Sequence, residues 1–114
     1  MVAKNTLLKA PPYPVEQTIK RLGANLRTAR LRRNLTIQEA AEKIGAGPRA
    51  VTGAEKGKPS TSVAVYVALL WAYDLLDPMT ELADPARDEV GLALASERER
   101  KRARDESGRL DRDF

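Results

Sequence analysis

From residue 18 onward, apolar positions recur at three- and four-residue steps. Ile19, Leu22, Leu26 and Ala29 share one stripe, with Arg30 on the same side, and Lys20, Arg21, Arg27 and Arg32 lie opposite. This period predicts a helix over 18–33, ended by Asn34. Ahead of it Pro11, Pro12 and Pro14 surround Tyr13. Proline fixes φ and carries no N–H, so residues 1–17 are expected as an extended arm. Thr36 followed three residues later by Glu39 is the signature of a capping box. A second helix is predicted over 37–44, with Ile37, Ala40, Ala41 and Ile44 inward. Gly45 and Gly47 interrupt it. Pro48 suits the first position of a third helix, where no N–H is needed. That helix is expected over 48–56, stopped by Gly57.

Residues 58–62 read as a loop, and 63–73 form an unbroken apolar run of 11 residues. Its valines suggest a strand, but its length and its Ser/Thr start favour a buried helix. Asp77-Pro78 and Asp84-Pro85 each look like a cap followed by a first-turn proline. They predict a short fifth helix over 78–83 and a further helix from 84 through 95. Past Ser96 the mixed charges are expected to be solvated or disordered unless a partner orders them. The fold class is therefore all-α: a five-helix domain over 18–83, preceded by the arm 1–17 and followed by a C-terminal helix and polar, charged tail over 84–114.

Composition narrows the chemistry. The chain has no cysteine and no histidine, which removes disulfides, thiol and imidazole catalysis and the usual zinc sites. Aromatics are only 4% of residues, too few for a platform that stacks single-stranded bases. No apolar run is long enough to span a membrane, and the N-terminus lacks a signal-peptide pattern, so a cytoplasmic protein is expected, associated with the nucleoid if it binds DNA. Glu39 and Glu42 share a helix face without any pocket signal; no enzyme, metal or cofactor is expected. Residues 1–83 carry 12 Lys/Arg against 7 Asp/Glu, whereas 84–114 carry 8 against 9. A basic domain with a balanced tail suggests phosphate contact, although the same excess also fits an ordinary soluble surface.

The sharpest constellation is Ala41, Gly45 and Val51. A small residue lets two helices cross closely, a glycine four positions on turns the chain through a left-handed backbone, and an apolar residue six further packs the next helix back. That is helix-turn-helix spacing; an ordinary αα-hairpin also satisfies it. The second helix would present free amides at Ile37 and Gln38 beside Thr36, an anion site. Lys56, Lys58, Ser60 and Thr61 flank the far end of the third helix, and Arg32 and Arg33 lie near the turn before the second. All are candidates for phosphate contact. Leu75, Leu76, Met79 and Leu82 exceed what a small core needs and suggest a dimer interface, unless they only close the monomer core.

Over residues 22–82 the chain resembles the Xre/Cro repressor-type helix-turn-helix family. The resemblance rests on Leu35-Thr36, Ala41-Glu42-Lys43-Ile44-Gly45, Glu55-Lys56-Gly57-Lys58, Pro59-Ser60 and the apolar fourth helix. It implies a third helix in the major groove of double-stranded operator DNA, with reading positions at Gly47, Pro48, Arg49, Thr52 and Gly53. Arginine can bond both guanine acceptors, and threonine offers a hydroxyl or a methyl. It also implies an ion pair between Arg30 and Glu55, and a homodimer with recognition helices ~34 Å apart. Ile37 stands where the family often has Gln, and Gly47 where it often has a Ser cap. Two further stretches, 11–27 and 82–94, are similar to HipB-like antitoxins. That likeness implies a transcription regulator acting as an autorepressor and as the antitoxin of a toxin-antitoxin system, whose partner is a HipA-like kinase toxin. The alternative is a helical adaptor that binds protein and not DNA.

Overall fold

The computed structural model describes residues 6–112. Its elements are α1 (Thr6–Lys9), α2 (Tyr13–Arg32), α3 (Ile37–Ile44), α4 (Pro48–Glu55), α5 (Val63–Ala72), α6 (Asp77–Thr80), a 3₁₀ turn at Pro85–Arg87 and α7 (Glu89–Arg112). The all-α class expected from the sequence is what the chain adopts. It divides into two compact units, Met1–Met79 and Thr80–Phe114.

In the first unit the helix ends follow local chemistry. Thr36 Oγ1 accepts the Glu39 N–H at 3.0 Å, and Glu39 Oε1 accepts the Thr36 N–H at 3.1 Å, which closes the capping box of α3. Gly45 takes φ 68° just after α3, and the following Ala46 N–H returns to the Ala41 carbonyl at 3.0 Å. That left-handed residue satisfies orphan carbonyls at little steric cost. Asn34 after α2 and Asp74 after α5 turn the chain the same way, at φ 57° and 59°. Ser62 caps α5 by accepting the Ala64 N–H at 3.1 Å. The core between these helices is small: Leu26 and Ala29 from α2, Ala40 and Ala41 from α3, Val51 and Ala54 from α4, and Tyr66, Leu69 and Tyr73 from and just after α5. Three fully buried alanines let the helices approach closely. Ile37 and Ile44, expected inward, lie half-buried at the rim of this core.

Two expectations are corrected. Residues 1–17 are not an extended arm where they are described: α1 occupies Thr6–Lys9, and α2 begins at Tyr13, not at residue 18. Residues 1–5 lie outside the described residues. The prolines misled because of their place. Pro12 is the cap and Pro14 is in the first turn, where an N–H has no intrahelical partner in any case. Beyond that turn, Thr18 Oγ1 donates to the Pro14 carbonyl and Lys20 pairs with Glu16 at 2.9 Å.

The second correction concerns the C-terminal unit. α6 ends at Thr80, and Ala83 takes φ 58°, so the helix expected over 78–83 is shorter. Asp84 caps only the 3₁₀ turn, accepting the Ala86 N–H at 3.0 Å. Asp88 then starts α7 by accepting the Gly91 N–H at 3.0 Å. α7 continues through Arg112, past the point where disorder was expected. Its residues are mainly Ala, Leu, Glu, Lys and Arg, the strongest helix formers, with Glu97 four positions before Lys101. None of the residues 80–108 is fully buried.

Candidate nucleic-acid interface

The candidate reading element is α4, and its C-terminal end is fastened to α2 in two ways. The first is steric. A Cβ on Gly23 would collide with the Ala54 and Glu55 carbonyls and the Gly57 amide. Gly57 in turn, at φ 67°, would drive a Cβ into the Lys20 backbone at 2.5 Å. The two backbones therefore touch where side chains are missing. The second is electrostatic. Arg30 Nε donates to Glu55 Oε2 at 2.6 Å and Nη2 donates to Oε1 at 3.0 Å, a two-pronged pair. Nη1 donates to the Leu35 carbonyl at 2.8 Å, so the same guanidinium also ties down the turn before α3. The side chains are only 9% and 7% exposed. The Glu55 hydrogen bond raises the Arg30 pKa against the opposing effect of burial.

Beside this pair lies Tyr73, fully buried, with burial raising its phenol pKa. Arg33 places its guanidinium 5.5 Å from the Tyr73 ring centre, donates to the Tyr73 carbonyl at 2.7 Å and to the Ala29 carbonyl at 3.0 Å. Arg33, though exposed, therefore binds its own domain; Arg32 is exposed as well.

The N-terminal end of α4 is open. Gly47 caps it with no side-chain hydrogen bond, and Gly47, Pro48 and Arg49 are exposed. Thr52, one turn on, is half-buried. Gly53, expected among the reading residues, is not on this surface. It is buried, and a Cβ there would come 2.7 Å from Thr61 Oγ1. The glycine makes room for the loop after α4 and leaves no face for a base. Thr61 is correspondingly half-buried, hydrogen-bonded with Tyr66, whose hydroxyl donates to the Lys58 carbonyl at 2.9 Å. Lys56, Lys58 and Ser60 are exposed around the same loop.

At the start of α3, Thr36 and Gln38 are exposed and Ile37 is half-buried. Gln38 Nε2 donates to Glu42 at 3.3 Å. The capping box places the Glu39 carboxylate on the Thr36 amide, and its hydrogen bonds to the Thr36 amide and hydroxyl hold it below the usual carboxylate range. An anion approaching the Ile37 and Gln38 amides meets this charge as well as the helix dipole.

Of the residues expected at a dimer interface, Leu75 is 41% and Leu82 is 66% exposed, while Leu76 and Met79 are half-buried. Met79 lines a groove with Ile19, Leu22 and Tyr66. Leu82 belongs to the second unit. The sequence reading missed Gly23, the close approach of Gly57 to the α2 backbone and the exposure of Trp71. A glycine on the apolar stripe of α2, between Leu22 and Leu26, is a usable sign of close backbone approach. Among the described residues no group of three or more His, Cys, Asp or Glu is placed to hold a metal, and no helix is long and apolar enough to cross a membrane.

The family model described as helix-turn-helix domain matches residues 21–83, more than half of the chain. No curated protein and no solved structure matches it.

Proposed function

On the premise that the chain belongs to the helix-turn-helix domain family, a family of DNA-binding regulators, we propose that it is a sequence-specific, dimeric autorepressor and the HipB-like antitoxin of a toxin-antitoxin pair. The observation that carries the DNA reading is the asymmetry of α4. One end is locked to α2 by the Arg30–Glu55 pair, and the other presents Arg49 in the open.

In this reading Arg49 bonds guanine O6 and N7 together, worth about 1–3 kcal/mol against a wrong base. Thr52 and Pro48 make the remaining base-edge contacts. Thr36 and the Ile37 and Gln38 amides meet one phosphate. Lys56, Lys58 and Ser60 meet phosphates on the other side, and Thr61 holds their loop in place. With so few reading side chains, DNA shape contributes to selectivity. Leu75, Leu76, Met79 and Leu82 are the dimer candidates given by the sequence. The protein works in the cytoplasm on the nucleoid, and its protein partner is a HipA-like kinase toxin.

The test is a binding titration of the full chain on duplex from its own promoter region, repeated from low to high salt. The expected result is an affinity that falls linearly on a log–log plot as counterions are released. Absence of salt-dependent binding overturns this reading in favour of a helical adaptor that binds protein only. The antitoxin part is tested by co-purification with the kinase-like product of the neighbouring reading frame, and no association refutes it.

A further inference from the structure

The charges of the C-terminal unit balance in sum but not in place. Residues 84–114 carry 8 Lys/Arg and 9 Asp/Glu, yet five of those eight cations fall within seven consecutive positions. They are Arg98, Arg100, Lys101, Arg102 and Arg104, and Glu99 is the one acid among them. The run lies inside α7, and all of its residues are exposed. It is no part of the helix-turn-helix match, which ends at residue 83.

An α-helix turns by about 100° per residue, so positions three apart fall about 60° from one another. Arg98, Lys101 and Arg104 therefore form an oblique line up one side of α7. Arg100 and Arg102 flank that line, and Glu99 falls on the opposite side. Glu97 and Asp105 close the patch at its two ends. Among the described residues none of the five cations is in an ion pair. Glu97 and Lys101 have the spacing for one, but exposed pairs of this kind contribute little and are screened by salt. A ligand of higher charge density displaces them.

We infer that this side of α7 is a second DNA site, which grips the phosphate backbone of the duplex that α4 reads. The inference rests on the DNA reading above and extends it to a part of the chain with no role so far. Two observations select duplex phosphate over a diffusing acidic protein. The first is spacing. Arg98 to Arg104 rises about 9 Å along the helix. One DNA strand carries a phosphate every ~3.4 Å along the duplex axis, so the line spans roughly two to three of them. Arginine, which supplies four of the five cations, bonds phosphate through two parallel N–H groups. The second is tethering. A duplex held by α4 is joined to α7 through the chain, at an effective concentration on the order of mM. A weak surface site fills at that concentration, whereas a diffusing partner must find it unaided. The contact carries no base information. It adds affinity to a domain whose reading face has few side chains.

The experiment titrates the full chain on promoter duplex from low to high salt. It compares the wild type with a triple variant, Arg98→Gln, Lys101→Gln and Arg104→Gln. Glutamine is a good helix former and the three sites are exposed, so melting is expected to be unchanged. The expected result is a log–log salt slope shallower by about 2–3, with the sequence preferred in selection from randomised duplexes unchanged. Glu99→Lys added to the triple variant returns positive charge on the far side of α7. The slope is expected to stay shallow; full recovery would show that net charge and not contact is at work, and overturns the inference. A triple variant with the wild-type slope refutes the α7 site and leaves the α4 reading standing. A loss confined to single-stranded RNA of the same length also refutes it. A wild type without salt-dependent duplex binding fails both.

Discussion

The two ends of the eight-residue α4 are built on opposite principles. The C-terminal end is buried and fixed by Gly23, Gly57 and the Arg30–Glu55 pair. The N-terminal end has a glycine cap, a proline and an arginine, all three exposed. The contrast separates two properties that short helices often confound. One end sets the orientation and stability of the helix; the other is left free to meet a ligand. A substitution therefore acts on folding or on binding according to which end it touches.

The largest expected effect is at the fixed end. Arg30→Ala leaves Glu55 charged, buried and unpaired, and is expected to cost about 3–5 kcal/mol. For a domain of this size that lowers the melting temperature by more than ~10 °C, and an unchanged thermal scan would show that the pair does not hold α4. Gly23→Ala forces the two backbones apart and is expected to cost about 1–3 kcal/mol, as overpacking does. Denaturant titration measures it, and a neutral result would mean that α2 can slide.

At the open end the pattern reverses. Arg49→Ala is expected to leave the folding stability within about 0.5 kcal/mol of wild type, as surface changes do. It should relax preference at one operator position by about 1–3 kcal/mol, read by selection from randomised duplexes. The smallest effect belongs to Glu39. Its folded pKa is depressed by the Thr36 amide and hydroxyl. The stability this gives is therefore present above the unfolded carboxylate value and lost as pH falls through the lower folded one. Glu39→Gln preserves the capping geometry without the titration. Its melting temperature is expected to fall less than that of wild type on acidification, and duplex affinity to rise slightly as a negative charge leaves the anion site.

Legibility in the sequence followed the range of the interaction. The Thr36–Glu39 box, the left-handed Gly45, Asn34 and the first-turn Pro48 are decided within a few residues, and the bounds of α3 were readable to the residue. The same local logic failed at Pro12 and Pro14, because a proline stops a helix arriving from before it and admits one starting at it. Gly53 was expected on the reading face because the family resemblance implies a reading position there. Its burial under Thr61 depends on where the following loop goes, which no local pattern states. The exposure of Trp71 was hidden for the same reason. An apolar run shows that a helix prefers enclosure, but not how much of it the domain's other helices cover.

The backbone contact between Gly23 and the end of α4 also has a consequence in time. Eight residues containing Gly53 cannot stay helical in isolation, since water-exposed helices below ~12–15 residues are marginal. The partners that hold α4 stand 25 positions away, at Arg30 against Glu55. The reading helix therefore depends on α2 and on closure of the intervening loop. The surface offered to DNA should thus appear no earlier than the α2–α4 contact, and duplex capture during refolding is expected not to run ahead of the recovery of bulk helicity.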